Sequence, residues 1–152
     1  LFQILNQHYI IKKEATLKNI DLKKYQEFVD AVTSNESKSN NDFSNRWNTL
    51  QNERTADMPR LLTACLGLSA EAGEFTEIIK KIVFQGKPLD EDNIWHMQRE
   101  LGDVMWYWMQ GCMALNIDPN EVIQMNIDKL KARYPGGDFD AYHSENRKEG
   151  DL

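Results

Sequence analysis

Two short acidic patterns carry the chemistry of this sequence. Glu71-Ala-Gly-Glu74 and Glu100-Leu-Gly-Asp103 each place an acid, two residues, then an acid. On a helix, at roughly 100° per residue, positions three apart lie about 60° apart around the axis and about one turn apart along it. Each pair therefore presents two carboxylates on one face. Leu68, Phe75 and Ile78 flank the first pair, and Leu101 and Val104 flank the second. Acids at the edge of an apolar core repel one another and lose hydration. Four of them together need protons, basic partners or cations. Ligands that are all oxygen suit hard divalent ions, Mg²⁺ first and Mn²⁺ as a substitute. Gly73 and Gly102 sit inside the two pairs. A glycine inside a helix costs about 1 kcal/mol against alanine. Their small size predicts a close approach of the two helices, so that the pairs share metal.

The same angular reasoning places further groups. Lys81 follows Glu74 by seven residues and shares its face, while Lys80 points nearly opposite. Tyr107 stands in the same relation to Glu100. Asn126, Lys129 and Arg133 fall at i, i+3 and i+7, one polar and basic stripe. Alone, such a stripe is solvent-facing charge. Beside an acidic metal site it can bind the phosphate oxygens that the metals also ligate, which is the arrangement of phosphoryl chemistry.

Other metal chemistries lack their ligands. A carboxylate-bridged di-iron bundle wants Glu-x-x-His on two helices. None of His8, His96 and His143 follows a Glu at that spacing. His96, one turn before Glu100, reads as a cap, as a surface residue, or as a support for a ligand. There is no calcium-loop, zinc, P-loop or dinucleotide-binding pattern. Cys65 and Cys112 sit in apolar stretches and are expected to be buried free thiols of a reducing compartment.

Helices must carry these residues. Asp21 caps a first helix with an apolar stripe of Leu22, Tyr25, Val29 and Val32. Residues 34–57 read as a long polar loop. Trp47 within it is either an aromatic anchor or a stacking platform for a nucleobase. A second helix runs from about Asp57-Met-Pro59 to Phe84, and a third from about Asp90 to Leu115. The third contains Val104-Met-Trp-Tyr-Trp-Met109, apolar all the way round, which predicts burial in a bundle centre or an oligomer interface. A fourth opens at Asp118-Pro119-Asn-Glu121 and ends at Tyr134-Pro135. No stretch alternates with period two. The expected fold is all-α, an antiparallel bundle of about four main helices in one domain spanning 1–152. It carries an N-terminal extension (1–20) and a polar tail (138–152).

Composition agrees. Of 152 residues, 41% are hydrophobic and 28% charged, a globular profile. The net charge of −6 argues against nucleic acid as a partner. No apolar run reaches the roughly 18–20 residues of a membrane span, so no membrane partner is expected. The first residues, Leu1-Phe-Gln-Ile-Leu-Asn6, show neither an initiator Met nor the charged start of a signal peptide, and they carry no argument.

The motifs resemble a known family. Leu66-Gly-Leu-Ser-Ala-Glu-Ala-Gly-Glu-Phe75, Glu100-Leu-Gly-Asp-Val-Met-Trp-Tyr107 and Asn126-Ile-Asp-Lys-Leu-Lys-Ala-Arg-Tyr-Pro135 are similar to the MazG-like nucleoside triphosphate pyrophosphohydrolases, within the all-α NTP pyrophosphatase superfamily. The likeness covers roughly 60–147, and the tail Asp138–Arg147 is similar to the ends of small bacterial and phage members. It implies a dimer or tetramer in the cytoplasm of a cell or of a virus's host. It implies hydrolysis of a (deoxy)nucleoside triphosphate to the monophosphate and pyrophosphate, for pool control or house-cleaning. By motif match, Glu71, Glu74, Glu100 and Asp103 are the Mg²⁺ ligands and catalytic acids. Lys129 and Arg133, with Asn126 and Lys81, bind phosphates, and Tyr107 lies against the nucleotide. Attack of water beside the α–β bridge needs a general base, one of the carboxylates. The leaving pyrophosphate needs cations and basic residues. The segment 34–57 departs from compact members, so base specificity does not transfer. Alternatives are a dUTPase-like or phosphoribosyl-ATP-like member of the fold, or a module that binds nucleotides without hydrolysis. Four metal-ligand acids favour hydrolysis, since a pure binder has no need of them.

Overall fold

Aspartates open the helices. In this computed structural model, which describes residues 20–53 and 55–146, the Asp21 carboxylate accepts from the backbone N–H of Lys23 and Lys24. Asp57 accepts from Arg60, Asp90 from Asn93 and Asp118 from Asn120, at 3.2, 3.0 and 2.8 Å. Each satisfies a donor that the first helical turn leaves unpaired. The elements that follow are α1 (Leu22–Val32), a 3₁₀ turn (Asn35–Ser37), α2 (Asn40–Glu53), α3 (Met58–Gln85), α4 (Glu91–Leu115), α5 (Pro119–Arg133) and a short α6 (Ala141–Glu145). Among the described residues there is no strand, and the fold class is all-α as expected. No helix is long and apolar enough to cross a membrane.

The described residues fall into two compact units, divided between Trp47 and Asn48 inside α2. In the first, α1 holds Leu22, Tyr25, Val29 and Val32 on the expected stripe, exposed. Lys38 Nζ donates to the Asp30 carbonyl at 2.8 Å and pairs with its carboxylate at 3.6 Å. Residues 34–57, expected as a loop, instead contain the 3₁₀ turn and the helix α2. Phe43, Trp47 and Leu50 fall at i, i+4 and i+7, a helical stripe hidden by Asn and Ser. The Phe43 and Trp47 rings stack at 6.0 Å between centroids.

In the second unit, α3 and α4 form an antiparallel hairpin, the most extensive helix packing among the described residues. Gly86 closes α3 at φ 72° and Asn116 closes α4 at φ 52°, both left-handed. The Asp57 N–H donates to the Ala114 carbonyl at 2.8 Å, tying the start of α3 to the end of α4. Arg60 donates to Gln110 at 3.2 Å one turn on. Asn93, 5% exposed, donates to the Pro88 carbonyl and to Asp90, fixing the connection at its other end. The hairpin buries Ala64, Cys112 and Ala114. Burial of Val104–Met109 on most sides is not observed among the described residues. Met105 and Trp106 are 56% and 54% exposed. Two helices alone have no second layer to cover the sides they turn away from each other. For the same reason Cys65, expected to be buried, is exposed, while Cys112 is buried as expected. Of the polar tail, Asp140 caps α6. Residues 1–19 and 147–152 of the expected extension and tail lie outside the described residues.

Candidate active site

The antiparallel register brings the two acidic pairs together. Glu71 and Glu74 on α3 face α4. One oxygen from each of Glu71, Glu74 and Glu100 lies within 4.8 Å of the others, a spacing that can hold a metal ion. Glu71 and Glu100 are half-buried and Glu74 is exposed. Partial burial comes first in raising the Glu71 pKa above 4.5. The negative charges of Glu74, Asp103 and Glu100 and a hydrogen bond with Glu100 act in the same direction. Asp103 is thus felt at Glu71 although it stands outside the three-oxygen group. A carboxyl group pushed toward its neutral form by three acidic neighbours is one that a cation would relieve. The donors are all hard oxygens, so the residues fit a divalent ion of the Mg²⁺ or Mn²⁺ class.

The close approach of the helices falls elsewhere than the sequence predicts. Gly73 and Gly102 have open space where a Cβ would stand. Gly67, one turn before Glu71, is buried against the Tyr107 ring, and a Cβ there would enter the ring. Gly111 approaches the Ala64 methyl at 3.8 Å. Ala64 and Gly67, three residues apart and opposite Tyr107 and Gly111, were the signal available in the sequence. Tyr107 is half-buried there, edge-on to Trp106 with centroids 4.8 Å apart.

The basic residues are placed as follows. Lys81 pairs with Glu77 at 3.3 Å, and Lys80 pairs with the same carboxylate. Glu77, which is not among the expected site residues, repeats the three-residue acidic spacing once beyond Glu74. Its hydrogen bonds with Lys80 and then Lys81 hold its pKa below the ordinary value. An apolar groove of about 500 Å³ separates the hairpin from α5, with Leu68, Val104 and Trp108 on one side and Val122 and Asn126 on the other. Lys129 and Arg133 follow Asn126 along α5, exposed and half-buried respectively. His96 is exposed, edge-on to Trp95, whose face carries the Arg99 guanidinium at 5.1 Å. Trp47 lies on α2 in the first unit.

In an all-α chain, acids from both helices of a hairpin that come this close make a candidate divalent-metal site. The pattern of the MazG nucleotide pyrophosphohydrolase domain matches residues 60–137, and the chain belongs to that family. It is 38% identical over 73 residues to the Gene 37 protein of Mycobacterium phage L5, a match covering 47% of this chain and 64% of that protein. The chain therefore spans just under two thirds of the length of that relative. No solved structure matches it.

Proposed function

We propose that this chain hydrolyses (deoxy)nucleoside triphosphates to the monophosphate and pyrophosphate, with Mg²⁺ held by Glu71, Glu74, Glu100 and Asp103 and Mn²⁺ as a substitute. The observation that carries this reading is the group of three carboxylate oxygens within 4.8 Å of one another, inside the segment that matches the family. When bound, the ion offsets phosphate charge and makes water more acidic. The chain's own residues do the rest. The four carboxylates would hold that ion, and its charge would relieve the repulsion that adds to burial in raising the Glu71 pKa. Lys129 and Arg133 bind phosphate oxygens, the guanidinium in a two-pronged contact. Lys81 exchanges Glu77 for phosphate. Asn126 offers an amide at the end of the α5 groove, and Tyr107, fixed on Gly67, walls the site against the nucleotide.

Self-association belongs to the same reading. Leu62 and Leu66 on α3, and Met105 and Met109 on α4, lie on the sides that these helices turn away from each other, and all are exposed. A second copy that covers them builds a bundle around the hairpin. Pyrophosphate release from a nucleotide panel, with and without Mg²⁺, tests the activity. Replacing Glu74 or Asp103 with Ala abolishes turnover in a still-helical protein if the site is correct. Retained activity in both variants contradicts it.

A further inference from the structure

Beyond the acidic pairs, the chain has a second concavity with the makings of a ligand site. It has a volume of about 560 Å³ and lies wholly between Tyr134 and His143, after α5. That is the size of a small-molecule pocket. Tyr134 and Phe139 form its aromatic part, with centroids 5.8 Å apart and planes tilted by 47°. Phe139 is 76% exposed, a large apolar face open to solvent beside the cavity. Its polar lining is acidic. Asp140 is fully engaged, accepting from the N–H groups of Tyr142 and His143 and pairing with the His143 ring at 2.9 Å. Asp138 also lines the cavity, and among the described residues its carboxylate has no hydrogen-bond or ion-pair partner.

The position relates this cavity to the triphosphate. The groove that α5 shares with the hairpin is lined by 104–108 on α4 and 122–126 on α5, on either side of the tight turn at Asn116–Asp118. Asn126 lines that groove together with Val104, and Lys129 and Arg133 follow it along α5 toward Tyr134. At about 1.5 Å per residue, Lys129 to Tyr134 covers roughly 7.5 Å. A ribose can bridge phosphates held at Lys129 and Arg133 to a base beyond Tyr134.

The geometry points to the Tyr134–His143 concavity as the pocket for the substrate's nucleobase, with guanine the base that it fits. This rests on the proposed hydrolase reading and deepens it. Phe139 and Tyr134 supply ring faces for stacking, which any base can use. Asp138 supplies the choice. An ionised carboxylate only accepts hydrogen bonds. Guanine offers two adjacent donors, N1–H and the exocyclic amine, to its two oxygens. Adenine and cytosine offer only the exocyclic amine on that edge. Uracil and thymine offer one N–H between two carbonyl oxygens, which the carboxylate repels.

The test is kcat/KM for guanosine and uridine triphosphates in the wild type, Asp138→Asn, Phe139→Ala and Trp47→Ala, with helix content checked by circular dichroism. Asp138→Asn is expected to lower the guanine-to-uracil ratio roughly 10- to 100-fold, the loss of charge-assisted hydrogen bonds. Phe139→Ala is expected to raise KM for every base with kcat little changed. A general structural defect would lower all rates and leave the ratio alone. An active wild type that prefers uracil, or a ratio unmoved in Asp138→Asn with KM unmoved in Phe139→Ala, overturns the pocket and leaves the hydrolase reading standing. A ratio shifted only in Trp47→Ala places the base at Trp47 and overturns it too. A wild type that releases no pyrophosphate from any nucleotide overturns the hydrolase reading and the pocket with it.

Discussion

At Glu71, partial burial and then the charges of Glu74, Asp103 and Glu100 all favour the protonated acid. Its pKa in the folded chain is above the ordinary 4.5, so over that window the folded state holds a proton that the unfolded state has lost. Metal-free stability therefore falls as pH rises from 4.5 through the folded pKa. Thermal melts in chelator should show this decline, and Glu71→Gln should flatten it. An equally steep decline in the variant would remove Glu71 as its source. Glu77 has the opposite sign. Lys80 and Lys81 hold its pKa below 4.5, so its contribution is present above 4.5 and is lost as pH falls through the lower folded value.

Among the elements, the α3–α4 hairpin sets the site through Gly67 rather than through the glycines between the acids. Any side chain at 67 meets the Tyr107 ring, while 73 and 102 are open. Gly67→Ala is expected to cost about 1–3 kcal/mol as an overpacked contact, whereas Gly102→Ala should be neutral or stabilising. Denaturant midpoints of the two variants decide this, and equal midpoints would contradict it. Asp90→Ala removes the α4 cap and the acceptor for Asn93, at a cost of about 1–2 kcal/mol. Asp90→Ser should recover much of that, as read by the same denaturant midpoints.

The long helices were legible in the sequence because each announces its start. Asp57, Asp90 and Asp118 are caps, and Pro59 and Pro119 stand in first turns. The facing of the two acidic pairs was legible too, since a short link forces antiparallel neighbours. Helix α2 was hidden, because Asn, Ser and Thr favour loops locally and only the spacing of Phe43, Trp47 and Leu50 speaks for a helix. The true contact glycine was hidden for another reason. Which small residue faces a ring depends on the offset between the helices, and the offset at which Gly67 meets Tyr107 is the one at which Asp57 N–H reaches the Ala114 carbonyl.

For the whole molecule, the outer sides of the hairpin pose the main physical problem. Leu66, Met105, Trp106 and Met113 are each more than half exposed. At roughly 25 cal/mol per Å² of apolar area, covering such faces is a strong drive to associate. Light scattering at micromolar concentration should give a mass of at least two chains, and Leu66→Glu should lower it while keeping helix content. A single-chain mass for the unaltered protein would contradict this.

The central claim, that facing carboxylate pairs make a metal-dependent pyrophosphohydrolase, has a direct test. Pyrophosphate release is measured from each nucleoside triphosphate by the unaltered protein and by Glu74→Ala, in Mg²⁺ and in chelator. Release from the unaltered protein in Mg²⁺ only, lost by about a hundredfold or more in the variant, is the predicted result. Equal release in chelator, or full activity in Glu74→Ala, would contradict it.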